Sequence, residues 1–261
     1  MIKIMDASAM SFDNVCTCKA CDHDFARDCT ECTCCSKGTH SMVLDGMTAY
    51  DRPVQIPLGN ITLEGDLRQG SKRAIVLFAH GSGSSRHSPR NKYVADMLQK
   101  AGLGTLLFDL LTRDEERIDE QTAHLRFDIG LLAGRLAAAT EWLAERVGDV
   151  KIGYFGASTG AAAALVAAAK KQDVVGAVVS RGGRPDLAGQ YLDKVRAPTL
   201  LIVGGNDQPV IGMNQEALDR LRIKDKRLDI VPGATHLFEE PGKLEEAARL
   251  ARGWFECYLH G

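Results

Sequence analysis

A serine hydroxyl becomes a nucleophile when a base takes its proton and an acid orients that base. This 261-residue chain offers the three residue types in the order Ser158, Asp207, His236. Ser158 is the centre of Gly156-Ala157-Ser158-Thr159-Gly160, which follows the apolar run 150–155 and leads into Ala161-Ala162-Ala163-Ala164. That reads as a buried strand, a tight corner and a helix of small residues. A strand that becomes a helix at one residue leaves no room for side chains two positions either side, which is why both flanks are glycine. Such a corner lifts the hydroxyl clear of the backbone and aims the unpaired N–H groups of the helix at charge developing beside it.

His236, in Pro232-Gly233-Ala234-Thr235-His236-Leu237-Phe238, follows the last predicted strand and precedes the closing helix. It is the candidate general base; the plainer reading is a loop histidine that caps the helix. Asp207, in Val203-Gly204-Gly205-Asn206-Asp207, lies just past the strand before it, in a turn whose glycines let the carboxylate bend inward. Asp186, after the preceding strand, is the competing acid. An oxyanion hole needs two backbone N–H groups, and the candidates are Thr159, directly after the serine, and Ser82 in His80-Gly81-Ser82-Gly83-Ser84. His80 reads as a brace for that loop. With Arg86 where a third glycine belongs, the loop is a poor dinucleotide fingerprint. Arg86, Arg90 and Arg181 fall near these loops in the sequence and are candidates for holding a carboxylate or phosphate on the substrate.

The elements that must position these residues alternate. Residues 53–57 and 61–67 read as an antiparallel pair. Then come strands at 73–79, 105–108, 150–155, 174–179, 199–203 and 227–231, separated by helices. Residues 112–121 read as an acidic, polar loop. A long helix carries Leu125, Ile129, Leu132, Leu136, Ala139 and Leu143, and the last one carries Leu244, Ala247, Ala251, Trp254 and Tyr258, with Cys257 packed in it. This is the pattern of an α/β domain: a mostly parallel, twisted sheet with helices on both faces, and ligands at the carboxyl ends of the strands. The short connection 181–197 leaves no space for an inserted cap.

Cysteine divides the chain. Seven of eight lie between Cys16 and Cys35, giving a Cys-rich head, residues 1–46, before the main domain, residues 47–261. Cys16, Cys18, Cys21, Cys29, Cys32, Cys34 and Cys35 contain two C-x-x-C pairs, a spacing that suits zinc or another soft metal. With almost no large apolar residues, the head has no core of its own, so a metal would have to supply its folding free energy. The other readings are a disordered segment or a later start at Met42 or Met47. A formal charge of −2, 45% hydrophobic and 25% charged residues describe an ordinary globular chain with no pull toward nucleic acid. No apolar run is long enough for a membrane span or secretory leader, so the expectation is cytoplasmic. Oligomeric state is not legible.

The elbow, His80-Gly81-Ser82-Gly83, Gly205-Asn206-Asp207 and Gly233-Ala234-Thr235-His236 together resemble the dienelactone hydrolase-like branch of the α/β-hydrolase superfamily. The resemblance covers residues from about 47 to the C-terminus and leaves out the head. It implies the α/β-hydrolase fold and hydrolysis of a small ester, thioester or lactone without a catalytic cofactor. Dienelactone hydrolases proper carry a cysteine nucleophile where this chain has Ser158, so the resemblance does not extend to the dienelactone substrate. The alternative is a catalytically idle hydrolase fold whose head serves as a metal-dependent sensor or docking module.

Overall fold

The computed structural model describes residues 52–259 and two short strands nearer the N-terminus. The chain divides into two units, Met1–Met47 and Thr48–Gly261. In the first, β1 (Cys16–Thr17) pairs antiparallel with β2 (Asp24–Phe25). The side chains of the seven cysteines expected to hold a metal lie outside the described residues.

The second unit is built on one eight-stranded sheet in the order β10-β9-β8-β7-β5-β6-β4-β3. The strands β3 (Arg52–Leu58) and β4 (Ile61–Arg68) run antiparallel at one edge. The rest are parallel: β5 (Ala74–Ala79), β6 (Gly104–Phe108), β7 (Lys151–Ala157), β8 (Val175–Arg181), β9 (Thr199–Gly204) and β10 (Lys226–Val231). Every residue of β5, β6 and β9 is buried, as expected of strands covered on both faces. Alternation sorts β5 between two cores. Ile75, Leu77 and Ala79 pack with α3 (Ile129–Val147) and α4 (Thr159–Lys170), whereas Ala74, Val76 and Phe78 pack with α1 (Pro89–Lys100) and α6 (Lys243–Tyr258). Each large side chain so buried contributes roughly 1.5–3 kcal/mol. The helix α4 is buried from Thr159 to Ala169, and its glycine and alanines, interrupted only by Leu165 and Val166, let it lie close to its neighbours.

The strand order reverses around β5: the chain passes to β6 on one side and then to β7 on the other. The loops after β5 and β7 therefore diverge at the carboxyl edge and leave a crevice there.

Three expectations change. Residues 112–121, read as a loop, form most of a helix, α2 (Arg113–Thr122). Thr112 accepts a hydrogen bond from the Glu115 N–H, and the Glu115 carboxylate accepts one from the Thr112 N–H. This capping box, with Asp114, Glu115 and Glu116 in the first turn, holds a helix that has no apolar stripe. The long helix also starts later than its periodicity suggests. Leu125 belongs to a 3-10 turn, Leu125–Phe127, and α3 begins after Asp128, whose carboxylate accepts the Leu131 N–H. Cys257 is exposed on α6 rather than packed.

Candidate active site

The elbow has the geometry its glycines require. Ser158, between β7 and α4, has φ 51° and ψ −121°, outside the regions favoured by L-residues. Holding it there costs on the order of 1–3 kcal/mol, which the buried elements on either side absorb. A Cβ on Gly156 would stand 2.4 Å from the Ala161 Cα, and one on Gly160 would stand 2.1 Å from the Ala79 carbonyl oxygen. Neither position admits a side chain.

His236 and Asp207 meet Ser158 at this corner. The His236 Nε2 lies 3.3 Å from Ser158 Oγ, and its Nδ1 lies 2.6 Å from Asp207 Oδ2. With the proton on Nδ1, that nitrogen donates to the carboxylate and Nε2 accepts the serine hydroxyl. Asp207 precedes α5 (Gln208–Arg220) and its side chain is largely shielded from water. The competing acid is engaged elsewhere: Arg184 Nε and Nη2 donate to Asp186 Oδ1 and Oδ2 at 2.9 and 2.8 Å. His236 is held from its C-terminal side by Phe238, which adopts φ 58° yet has a fully buried ring. That anchor carried no sequence signal, because positive φ in a phenylalanine is not written in its type.

The loop after β5 is bolted down at two points. His80 Nε2 accepts the Leu110 N–H at 3.0 Å, and burial of the ring lowers its pKa and keeps it neutral. Arg86, expected on the substrate, is instead tied to the sheet, which corrects that expectation. Its backbone N–H and Nη1 donate to Asp109, Nη2 donates to Glu64, and Nε faces Asp66 at 3.4 Å. Burial pulls the Arg86 pKa down, but the three carboxylates outweigh it and hold the group above its usual value. Its Nη1 and Nη2 are thus engaged within the chain, while Nε is buried without a hydrogen-bond acceptor.

Between these anchors the Ser82 N–H donates to Thr159 Oγ1 at 3.0 Å, and Ser82 Oγ lies 3.0 Å from the same atom. The two expected oxyanion residues are thus in contact, with one of the two N–H groups already engaged. A cavity of about 290 Å³ opens beside them, lined in part by Ser82, Thr159, Leu110, Leu132, Glu116 and Arg126. Arg126 is fixed there by Asp119.

The other two arginines differ from Arg86. Arg90, in the first turn of α1, pairs with exposed Glu239 at 3.1 Å. Arg181, the last residue of β8, is buried beneath Phe238. Burial, and then the like charge of Arg90, push its pKa down to about 10. Among the described residues, no grouping of three or more His, Cys, Asp or Glu is arranged to hold a metal.

The model of the dienelactone hydrolase family matches residues 65–258. The chain belongs to this family. The family match spans every site residue named above except Glu64, which falls one position before it, and leaves out the head. A dienelactone hydrolase from Anabaena variabilis, known as a crystal structure, is 58% identical with a TM-score of 0.80, covering 82% of this chain and all of its own. A Mycobacterium tuberculosis protein whose name proposes a phosphoribosyl transferase is 58% identical over 214 residues, 81% of this chain and 47% of the relative. The chain therefore spans about half the length of that curated relative. Est1E of Butyrivibrio proteoclasticus, solved with ferulic acid bound, shares the fold at 17% identity and a TM-score of 0.67, covering 78% of this chain and 98% of its own.

Proposed function

We propose that the chain is a serine hydrolase that cleaves a small carboxylic ester, thioester or lactone through an acyl-enzyme on Ser158. The observation that carries this reading is the pair of hydrogen bonds on His236, to Ser158 Oγ and to Asp207. His236 Nε2 takes the hydroxyl proton as Oγ attacks the carbonyl carbon, and Asp207 stabilises the imidazolium that forms. The imidazolium then gives that proton to the leaving alcohol or thiol. Water attacks the acyl-enzyme, with His236 again as base, and the acid leaves.

The oxyanion is assigned to the Thr159 and Ser82 N–H groups. The Thr159 N–H opens α4 and has no acceptor within its own helix. The Ser82 N–H would have to exchange Thr159 Oγ1 for the oxyanion, so the hole reaches its full strength only as charge develops. The cavity of about 290 Å³ sits at the small end of ligand pockets, roughly 300–1,000 Å³, and favours a small acyl or alcohol group. The matched segment makes up less than half of the mycobacterial relative and contains the elbow. Hydrolysis is therefore read as the activity of the shared segment, whatever the remainder of that relative does.

The test is covalent labelling with a fluorophosphonate, read by intact mass. Wild type should gain one adduct, while Ser158→Ala gains none and His236→Ala labels on the order of 10³-fold more slowly or less. A folded wild type that takes no label overturns the reading.

A further inference from the structure

The three residues of the proposed triad stand on two separately braced units. The acid and base loops are bonded to each other: the Asn206 N–H donates to the Ala234 carbonyl at 2.9 Å, and the Gly205 N–H to the Val231 carbonyl at 2.8 Å. The nucleophile is bonded instead to the turn that follows β8. The Ser158 N–H donates to the Arg181 carbonyl at 3.3 Å, and the Ser158 carbonyl accepts the Arg184 N–H at 3.1 Å. That turn also runs close against the base. Gly182 has φ 51°, and a Cβ there would stand 2.9 Å from the His236 carbonyl oxygen and 3.7 Å from His236 Cε1. The bond between Ser158 Oγ and His236 Nε2 crosses from one unit to the other. At 3.3 Å, against 2.6 Å for the bond to Asp207, it has the less to lose before it fails.

Asn214 is a side chain that crosses the same divide. It lies in the second turn of α5, on the inward face with Val210 and Ala217, and is fully buried. Its Nδ2 donates to the Gly183 carbonyl at 3.0 Å and, within its own helix, to the Val210 carbonyl at 2.8 Å. Both neighbours are acceptors, which fixes the amide with its nitrogen toward the turn. Its Oδ1 is buried with no donor among the described residues. A leucine would fill this place without that unmet oxygen, so stability alone does not account for an asparagine. The helix also needs an internal anchor. Asp207 is its N-cap residue, where a carboxylate ordinarily accepts the first N–H groups of the helix; here it is turned to His236 and makes no such bond. The helix that carries the acid has given up its cap to the site and is held a turn further in.

We propose that Asn214 is a positioning residue of the triad. By tying α5 to the Gly183 carbonyl, it holds the acid and base loops against the turn that holds Ser158, and so sets the distance between Ser158 Oγ and His236 Nε2. It touches no reacting atom and acts only through the turn. The role rests on the reading of Ser158 as nucleophile.

The experiment follows fluorophosphonate labelling by intact mass over a range of probe concentrations, which separates the rate at saturation from the half-saturating concentration. Asn214→Leu keeps the shape of the side chain and removes its donor. Its rate at saturation should fall about 10- to 100-fold with the half-saturating concentration unchanged, as expected when reacting groups are misaligned. Thr140→Val is the control for a lost buried hydrogen bond elsewhere in the domain. Thr140 Oγ1 donates to the Leu136 carbonyl at 2.9 Å and meets the Tyr154 hydroxyl at 2.7 Å. Labelling of this variant should match wild type even where its melting temperature falls. Asn214→Asp gives a second readout, and carries the test alone if Asn214→Leu does not fold. Its carboxyl can donate to the Gly183 carbonyl only while protonated. Its rate relative to wild type at the same pH should therefore approach one in acid and fall as pH rises. A folded Asn214→Leu that labels at the wild-type rate overturns the proposal, as does a loss confined to the half-saturating concentration. So does equal slowing in Thr140→Val, or a rate for Asn214→Asp in acid that stays on the order of tenfold below wild type. Each of these leaves wild type labelling and the hydrolase standing; a wild type that takes no label removes both.

Discussion

Arg86 and Arg181 flank the same elbow, and both are mostly buried, yet their surroundings are opposite. Arg86 follows the loop after β5 and meets Glu64, Asp66 and Asp109. Arg181 ends β8, where its register neighbours are Ala157 on β7 and Ile202 on β9. The difference comes from the strands. The sheet edge at β4 is antiparallel and half-exposed, so it carries carboxylates within reach of the loop. The parallel centre, β5 to β9, is covered on both faces and carries no carboxylate. An arginine placed by the first is a fastener, and one placed by the second is left with buried donors that no acceptor among the described residues meets.

Removing Arg86 tests the fastener directly and should give the largest effect. Arg86→Met leaves three carboxylates facing one another across the root of the oxyanion loop. Because those carboxylates are partly solvated, the loss should fall near the low end for a broken buried pair, about 2–3 kcal/mol, read from urea unfolding. Ester turnover should fall with it, since the 81–84 loop loses its tie to the sheet. A stability change below about 0.5 kcal/mol would place Arg86 with ordinary surface ion pairs and erase the contrast.

Arg135 extends the comparison to a second arginine paired with carboxylate, through pH. Burial pushes the Glu115 pKa up, but the Arg135 fork and the Thr112 N–H pull harder and leave it below its ordinary value of 4.5. A carboxylate depressed in the folded state contributes stability above its unfolded pKa and loses it as pH falls through the folded pKa. Hydrogen-exchange protection factors across residues 113–122, which divide out the intrinsic pH dependence, should therefore be high above about pH 4.5 and fall as the solution is acidified below it. Glu115→Gln should lower the protection factors at neutral pH and flatten that acid dependence. An unchanged profile in the variant would detach α2 from the Arg135 pair.

Much of this was legible before any coordinates. The glycines at 156 and 160 announced their own reason, and the sterics at Ala161 and Ala79 bear it out. The β5 and β9 runs were readable because strands covered on both faces are apolar at every position. The helix α2 was not readable by periodicity, since it is held by its cap and buries only Asp119; the signal was Thr112 and Glu115 three residues apart. The arginines were the hardest. Position after a strand put all three near the corner, but whether a guanidinium is engaged depends on which carboxylates neighbouring strands carry. That is a property of strand order, and order β7-β5-β6-β4 is not written in any one segment. The engagement of the Ser82 N–H by Thr159 Oγ1 was hidden for the same reason, as it spans 77 residues.

Arg184 closes the series at its small end. It follows the end of β8 by three residues and is paired with a carboxylate, as Arg86 is, but its side chain is 36% exposed. If pairing alone made a fastener, Arg184→Met would resemble Arg86→Met. Solvent screening argues otherwise, and the expected change in unfolding free energy is about 0.5 kcal/mol or less. The released Asp186 carboxylate gains full hydration in place of its partner, and His236 keeps Asp207, so labelling of Ser158 should proceed at the wild-type rate. A loss as large as that of Arg86→Met would mean that burial is not what separates these arginines. The unpartnered state of Arg181 would then need a different explanation from the one given by the strands around it.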